Sequence, residues 1–266
     1  MIRAIWKGAR AAAAIGFGVA AYAYLTLPDV RPLQKTNPPT TAFIEIRKHE
    51  AEDAGRKPVR IQTWVGYERI SPNLKRAVLV TEDAAFFDHE GIDFTEMKKS
   101  FELNWRKLGF LRGGSTITQQ LAKNLYLSPS KNPVRKFREF LLARRLEAEL
   151  SKRRILEIYL NVIEWGDGLY GAEAAARKYY GIPAAALGPD QAAMLASMIF
   201  SPRQYNPAAP TPFLQKRQHL VLSRMGAVAA PPADTPIPKT DPPAQAPQAT
   251  QPIPPAPVPP GPEIIK

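Results

Sequence analysis

Half of the 28 prolines of this 266-residue chain fall in its last 37 residues, between Ala230 and Lys266. Proline lacks a backbone donor and disfavours helix at the residue before it. No aromatic residue follows Phe213, so this stretch has little apolar surface to set against chain entropy. Residues 227–266 therefore read as a proline-rich disordered tail, with a ligand for a proline-binding partner as the lesser alternative. Whatever folds here must do so before Gly226.

The other end is constrained differently. Arg3, Lys7 and Arg10 make residues 1–10 a basic flank, and the 17 residues from Ala11 to Leu27 carry no charge. As a helix that run spans roughly 26 Å, the low end of what crosses a hydrocarbon core of about 30 Å. Positive flanks stay in the cytoplasm. The expected organisation is a cytoplasmic flank (1–10), a transmembrane anchor (11–27), a domain outside the membrane (33–226) and the tail (227–266). A cleaved signal peptide, with Ala21-Tyr22-Ala23 at the cleavage point, is the rival reading. The run favours the anchor, because it continues through Tyr24, Leu25 and Leu27.

Composition excludes several chemistries. With no cysteine there is no disulfide framework, thiolate metal site or cysteine nucleophile. A mean hydropathy of −0.26 is too polar for a multi-span membrane protein. The net charge of +12 calls for an anionic partner, whether nucleic acid, acidic lipid or a phosphate-bearing substrate. The outward topology disfavours nucleic acid.

The domain is rich in helix signals. Ser71-Pro72, Asn132-Pro133 and Ser151 read as helix starts. Asp93 with Glu96, and Thr116 with Gln119, have capping-box spacing. The first of these opens a helix towards Leu108, with Gly109 as its stop. Asp190 to Met198 is a short apolar helix. The one strand signal, Val59 to Val65, alternates polar and apolar residues and predicts a small hairpin. The fold class is mainly α with little sheet.

Four segments carry chemistry. Glu82-Asp83-Ala-Ala-Phe86-Phe87-Asp88-His89-Glu90-Gly91 places two acids at the end of an apolar stretch, where a carboxylate can act as acid or base; a solvated helix end is the plain alternative. Arg112-Gly113-Gly114-Ser115-Thr116-Ile117-Thr118-Gln119-Gln120 is a glycine pair before a polar helix start, suited to phosphate or sugar oxygens, or simply a capped turn. Lys131 to Arg154 holds nine bases and three acids, a cluster fitted to pyrophosphate or a solvated basic face. Lys152-Arg-Arg-Ile-Leu-Glu157-Ile-Tyr159-Leu-Asn161 embeds a glutamate in an apolar helix, where it needs a partner if buried. Gly166-x-Gly168-x-x-Gly171 lacks the strand and βαβ frame of a dinucleotide site. Ser128-x-x-Lys131 lacks the other elements of a penicillin-binding site.

Taken in order, Glu82-Asp83-x-x-Phe86-x-x-His89-x-Gly91, Gly113-Gly-Ser-Thr-Ile-Thr-Gln-Gln120, Arg135-Lys136-x-x-Glu139 and Lys152-x-x-Ile-Leu-Glu157-x-Tyr-Leu-Asn161 resemble the signatures of peptidoglycan glycosyltransferases (glycosyltransferase family 51). The catalytic domain of that family is shared with class A penicillin-binding proteins. With no transpeptidase pattern after the domain, the resemblance is to the monofunctional biosynthetic transglycosylases. It covers about Trp64 to Pro207 and leaves the tail out.

The resemblance implies a lysozyme-like, two-lobed, mainly α domain on the periplasmic side of the inner membrane, held there by a single pass. It implies inverting transfer of a lipid-linked muramyl glycan chain to the 4-hydroxyl of lipid II, with loss of undecaprenyl pyrophosphate. Its partners would be lipid II, the growing lipid-linked chain, membrane lipids and other cell-wall synthesis proteins. Glu82 matches the general base and Glu139 the second carboxylate. Lys123, Lys131, Arg135 and Lys136 match positions near the phosphates. Ser115, Thr116, Gln119, Gln120 and Asn124 would bind substrate, while Asp83, Phe86 and His89 would shape the surroundings of the base.

Lys131 stands where many members carry Arg, which keeps the charge and loses the fork. No metal cluster is evident in the sequence, and a divalent cation (Mg or Mn) at the pyrophosphate is the one cofactor the chemistry leaves room for. Phe101 to Leu111 is expected either to dip into the bilayer interface or to pack in the core. A lysozyme-like hydrolase or lytic transglycosylase would also use a glutamate in a helical cleft. A non-catalytic lipid-binding scaffold would use only the basic face.

Overall fold

A computed structural model of the chain describes residues 2–98, 114–130 and 132–226. Phe101 to Leu111, Gly109, Gly113, Lys131 and the tail from 227 lie outside the described residues. Nine helices are labelled among the described residues: α1 (Ile2–Leu25), α2 (Ala42–Asp53), α3 (Pro72–Glu82), α4 (Ile117–Tyr126), α5 (Pro133–Glu149), α6 (Lys152–Val162), α7 (Ala172–Tyr180), α8 (Pro189–Met198) and α9 (Pro212–Met225). Three short strands accompany them: β1 (Ile61–Gln62), β2 (Glu164–Gly166) and β3 (Leu169–Tyr170).

The helices start where the sequence places them. Ser71 accepts from the Asn73 N–H, and Pro72 follows it. Thr116 and Gln119 form a reciprocal capping box. Asn132 and Ser151 cap α5 and α6 through the N–H groups of Val134 and Arg154. Asp93 accepts from the Glu96 N–H at 2.8 Å. Each such cap contributes about 1 kcal/mol by satisfying a backbone donor that the helix itself cannot.

One core joins the helices. Helices α3, α8 and α9 pack on one another, and α4 packs against α2, α5 and α6. Leu74 and Val78 of α3, Ile117 and Leu121 of α4, Leu142 and Leu146 of α5, and Ile155 and Tyr159 of α6 are all fully buried in it.

One expectation is corrected. The predicted hairpin at Val59–Val65 is not formed. Only Ile61–Gln62 is strand, and it pairs parallel with Leu169–Tyr170, more than a hundred residues on. The reason lies in Gly168, whose φ is +67° and whose missing Cβ would sit 2.6 Å from the Val59 carbonyl. A close approach that only glycine allows brings β1 to β3, and it explains part of the glycine spacing.

The N-terminal anchor is not established by the structure. The N-terminal run is helical, but among the described residues no helix is long and apolar enough to cross a membrane. Helix α1 ends at Leu25, two residues before the uncharged run does, and its first nine positions include Arg3, Lys7 and Arg10. The uncharged part of the helix is then Ala11–Leu25, about 22 Å long, and it is rich in Ala and Gly. Its end is tied to the domain. Ala23 and Leu27 are buried, Arg138 donates to the Thr26 hydroxyl and carbonyl at 3.1 Å, and Arg145 lies over the Tyr24 ring at 5.5 Å.

Candidate active site

Glu82 is the last residue of α3. Its half-buried carboxyl forms part of the wall of a cleft of about 910 Å³, together with Asp83, His89, Ser115, Thr116, Gln120 and, from α9, Arg217. The Tyr159 hydroxyl donates to Gln120 Oε1 at 2.9 Å. The Gln120 amide nitrogen donates to Glu82 Oε2 at 2.7 Å. With its oxygen held by tyrosine, Gln120 presents only its NH₂ group to the carboxylate, which fixes the amide orientation. Glu82 Oε1 has no hydrogen bond among the described residues and is available as an acceptor. Burial raises the Glu82 pKa, opposed by the Gln120 hydrogen bond and by Arg217 and Lys123, with Asp83 adding to the rise. Such a carboxylate is a stronger base than an exposed one.

Asp83 does different work. It is buried, and its Oδ2 accepts the Ile117 N–H at 2.9 Å. It therefore holds the N-terminus of α4, where the helix dipole favours an anion. His89 Nδ1 accepts from the Gly91 N–H at 3.1 Å. The ring proton must then sit on Nε2, which donates to Asp83 at 2.9 Å. The Thr116 hydroxyl donates to the Gly91 carbonyl at 2.6 Å. Gly91 has φ +84°, and a Cβ there would lie 2.8 Å from Glu147. The reading of the α4 start as a phosphate cradle is thus corrected in part: the Ile117 N–H already belongs to Asp83, and the Gln119 N–H to Thr116.

Three of the expected cations gather beside the cleft. Both oxygens of the buried Glu139 are taken, one by Arg135 at 2.6 Å and the other by Lys136. Lys136 also reaches the Ser115 hydroxyl at 3.3 Å, which links the cluster to the cleft wall. Lys123 is half-buried; burial lowers its pKa, with Arg135 and Lys136 pushing the same way and Glu139 and Glu82 opposing. Each Glu139 oxygen thus carries one cation contact.

Not every expected site residue lines the cleft. Phe86 is fully buried, edge-on to Phe87 at 5.1 Å and under the Lys152 ammonium at 4.4 Å. Gln119 spends its side chain on the capping box. The Asn124 side chain donates to the Gln120 carbonyl at 2.8 Å, one turn back. Lys131 lies outside the described residues.

Much of the basic segment is structural. Arg144 pairs with Glu90, Lys152 with Glu147, Arg153 with Glu68 and Arg154 with Glu157. Glu157 has the partners its burial demands, since it also accepts from the Trp64 indole and the Tyr67 N–H at 3.3 Å. The Asn161 amide pairs with both backbone groups of Val65, at 3.0 and 2.9 Å.

Sequence reasoning missed Arg217 and Phe200, which line the cleft from beyond the four motifs. Arg217 donates to the Ser197 carbonyl at 3.1 Å and stacks on Phe200 at 4.4 Å. Its place in an otherwise ordinary amphipathic helix gives no local signal. Among the described residues no group of three or more His, Asp or Glu could hold a metal ion.

The chain is similar to known proteins. The family model described as Transglycosylase matches residues 46–226. The chain is 49% identical over 195 residues to a protein of Nitrosospira multiformis named biosynthetic peptidoglycan transglycosylase, covering 73% of this chain and 85% of that one. It is 46% identical over 226 residues to the protein of that name from Thiobacillus denitrificans, covering 85% and 97%. A third, from Aromatoleum aromaticum, is 53% identical over 170 residues, covering 64% and 74%. A match over most of the chain makes this protein a member of the transglycosylase family.

Proposed function

We propose that the chain polymerises peptidoglycan glycan strands, with Glu82 as the general base. The 4-hydroxyl of a lipid II acceptor attacks C1 of the muramyl unit at the lipid-linked end of the growing chain. The new C–O bond forms as the bond from C1 to the pyrophosphate oxygen breaks. The hydroxyl proton passes to Glu82, and the leaving group is undecaprenyl pyrophosphate. A sugar hydroxyl is a poor nucleophile, so a carboxylate must take its proton as the bond forms. The pyrophosphate gains one negative charge as the C1–O bond breaks, and it leaves without a proton if cations receive that charge.

The observation that carries this reading is one juxtaposition. Glu82, with an unoccupied oxygen, lies on the same cleft wall as Ser115, which touches the Lys136–Glu139–Arg135 cluster. In this reading Gln120 and Tyr159 hold the base. Asp83, His89 and Thr116 brace the segment after α3 against the start of α4. Lys123, Arg135 and Lys136, with Lys131 nearby in sequence, bind pyrophosphate, and Glu139 spaces those cations. Ser115 and Gln120 meet sugar or phosphate oxygens.

The reaction places the protein in the cell envelope. We assign it to the inner membrane, with α1 as a single-pass tether and the domain, residues 33–226, on the periplasmic side. Ile15, Phe17, Tyr22, Tyr24 and Leu25 of α1 are exposed, which suits a lipid-facing helix. Its uncharged part is shorter than a hydrocarbon core of about 30 Å, a deficit that snorkelling of Arg10 and local bilayer thinning can absorb.

The test is incubation of the full chain with lipid II in detergent, followed by separation of polymer from monomer. Polymer that disappears in Glu82→Gln supports the proposal. Degradation of pre-formed glycan without polymer would assign the cleft to a hydrolase.

A further inference from the structure

Three aromatic rings form a surface that the domain leaves open. Phe200, just after α8, is 48% exposed, and Phe213, in the first turn of α9, is 51% exposed. Tyr205 joins them, with its ring centroid 5.1 Å from Phe200 and stacked at 5.9 Å on Phe213. Phe200 and Phe213 meet edge-on at 6.0 Å. Rings exposed together in this way are an apolar patch, a feature that marks a contact surface more often than scattered exposed residues do. Two polar groups border it. The Tyr205 hydroxyl and the exposed Lys216 ammonium, one turn along α9 from Phe213, have no hydrogen-bond or ion-pair partner among the described residues.

The chain carries a segment of matching chemistry. Residues 227–266 lie beyond the family match, which ends at 226, and they hold 14 prolines and no aromatic residue. Proline-rich sequence favours polyproline II, whose backbone has no internal hydrogen bonds and leaves its carbonyls open to a donor. Aromatic surfaces dock such segments because little entropy is lost on binding. The first Pro-x-Pro after the domain is Pro236-Ile237-Pro238. It sits within residues 234–241, whose two aspartates and one lysine give a net charge of −1, complementary to Lys216.

The tether fits as well. From Phe213 to Met225 helix α9 runs 12 residues, about 18 Å. Ten residues lead from Gly226 to Pro236, and a flexible linker of that length has an r.m.s. span of roughly 17 Å or more. The segment therefore reaches back along α9 to the rings without strain. A linker matched to its span gives an effective concentration in the mM range, so even a site with a Kd of about 1 mM is half filled or better.

We infer that Pro236-Ile237-Pro238 docks on the Phe200–Tyr205–Phe213 surface of its own chain, with the Tyr205 hydroxyl donating to a backbone carbonyl of the segment. Phe200 also forms part of the cleft wall, so the docked segment borders the catalytic cleft.

The chain has no cysteine, so Gln204→Cys, at an exposed position beside Tyr205, and Lys239→Cys supply the only two thiols of the full-length protein. Intrachain disulfide formation in dilute protein is followed by mass spectrometry. Adding Phe213→Ala should slow it about fivefold or more, the loss expected on truncating an aromatic anchor. Adding Pro236→Ala, Ile237→Ala and Pro238→Ala together should slow it as much, without altering the domain. The melting temperature of the Phe213→Ala protein shows that it folds. An undiminished rate in either folded variant overturns the docking, because closure is then the random collision of a loop. Disulfides formed only between chains overturn it too, and assign the rings to a second copy.

Discussion

Replacing Asp83 by asparagine should cost about 3 kcal/mol of folding stability. The carboxylate takes the Ile117 N–H on Oδ2 at 2.9 Å and the His89 Nε2–H on Oδ1 at 2.9 Å. Both bonds are to a charged acceptor, each worth roughly 1.5–3 kcal/mol. An asparagine oxygen can keep the Ile117 bond, but its NH₂ group then faces the His89 N–H and two donors meet. Moving the ring proton to Nδ1 relieves that clash only by breaking the bond from the Gly91 N–H, 3.1 Å away. Although Nε2 also lies 3.1 Å from Oδ2, the charged acceptor at Oδ1 is lost on every path, and the start of α4 loses its anion, a further ~0.5–1 kcal/mol. Set against the 5–15 kcal/mol typical of a domain, about 3 kcal/mol is visible as a lower urea midpoint at unchanged slope. The double variant Asp83→Asn/His89→Phe should lose less than the two single changes added together, because they share one bond. A shift below about 0.5 kcal/mol for Asp83→Asn would remove Asp83 from this bracing role.

Glu82→Gln should lower polymerisation at least about 10²-fold without lowering the melting temperature, since it removes a carboxylate whose ionisation burial opposes; a variant that keeps turnover would end the base assignment. Because burial raises the Glu82 pKa above the usual 4.5, activity should fall as pH drops through that raised value. The stability linkage has the opposite sense: the contribution of Glu82 is fully present below its unfolded pKa and is lost as pH rises through the folded one. Comparing the pH dependence of unfolding for wild type and Glu82→Gln checks it. Glu139→Gln should loosen Arg135 and Lys136 and raise KM for lipid II more than it lowers kcat, measured by initial rates; an unchanged KM would leave Glu139 a structural group. Arg217→Met should leave Glu82 harder to ionise and move the acid limb of the rate profile to higher pH, whereas an unmoved limb would exclude electrostatic coupling between them.

Local features were legible in the sequence wherever a short-range rule decides them. The caps at Ser71, Thr116, Asn132 and Ser151 each need only two to four neighbouring residues, and all of them form. The four ordered motifs point to the family, which the match over residues 46–226 bears out, and Glu82 as base is what that resemblance implies. Long-range pairing was not legible. The strand signal at Val59–Val65 found its partner at Leu169–Tyr170, selected by a close approach at Gly168. The division of labour in the basic segment was equally hidden. Net charge shows that cations are present, but only packing shows that Arg138 and Arg145 hold the end of α1 while Arg135 and Lys136 face Glu139. Tertiary structure alone brought Arg217 and Phe200 to the cleft and left Glu164 with an unpaired oxygen. The physical reason is common to these cases: capping and residue chemistry act within a turn of the chain, whereas burial, pairing and pKa depend on which distant side chains the fold sets side by side.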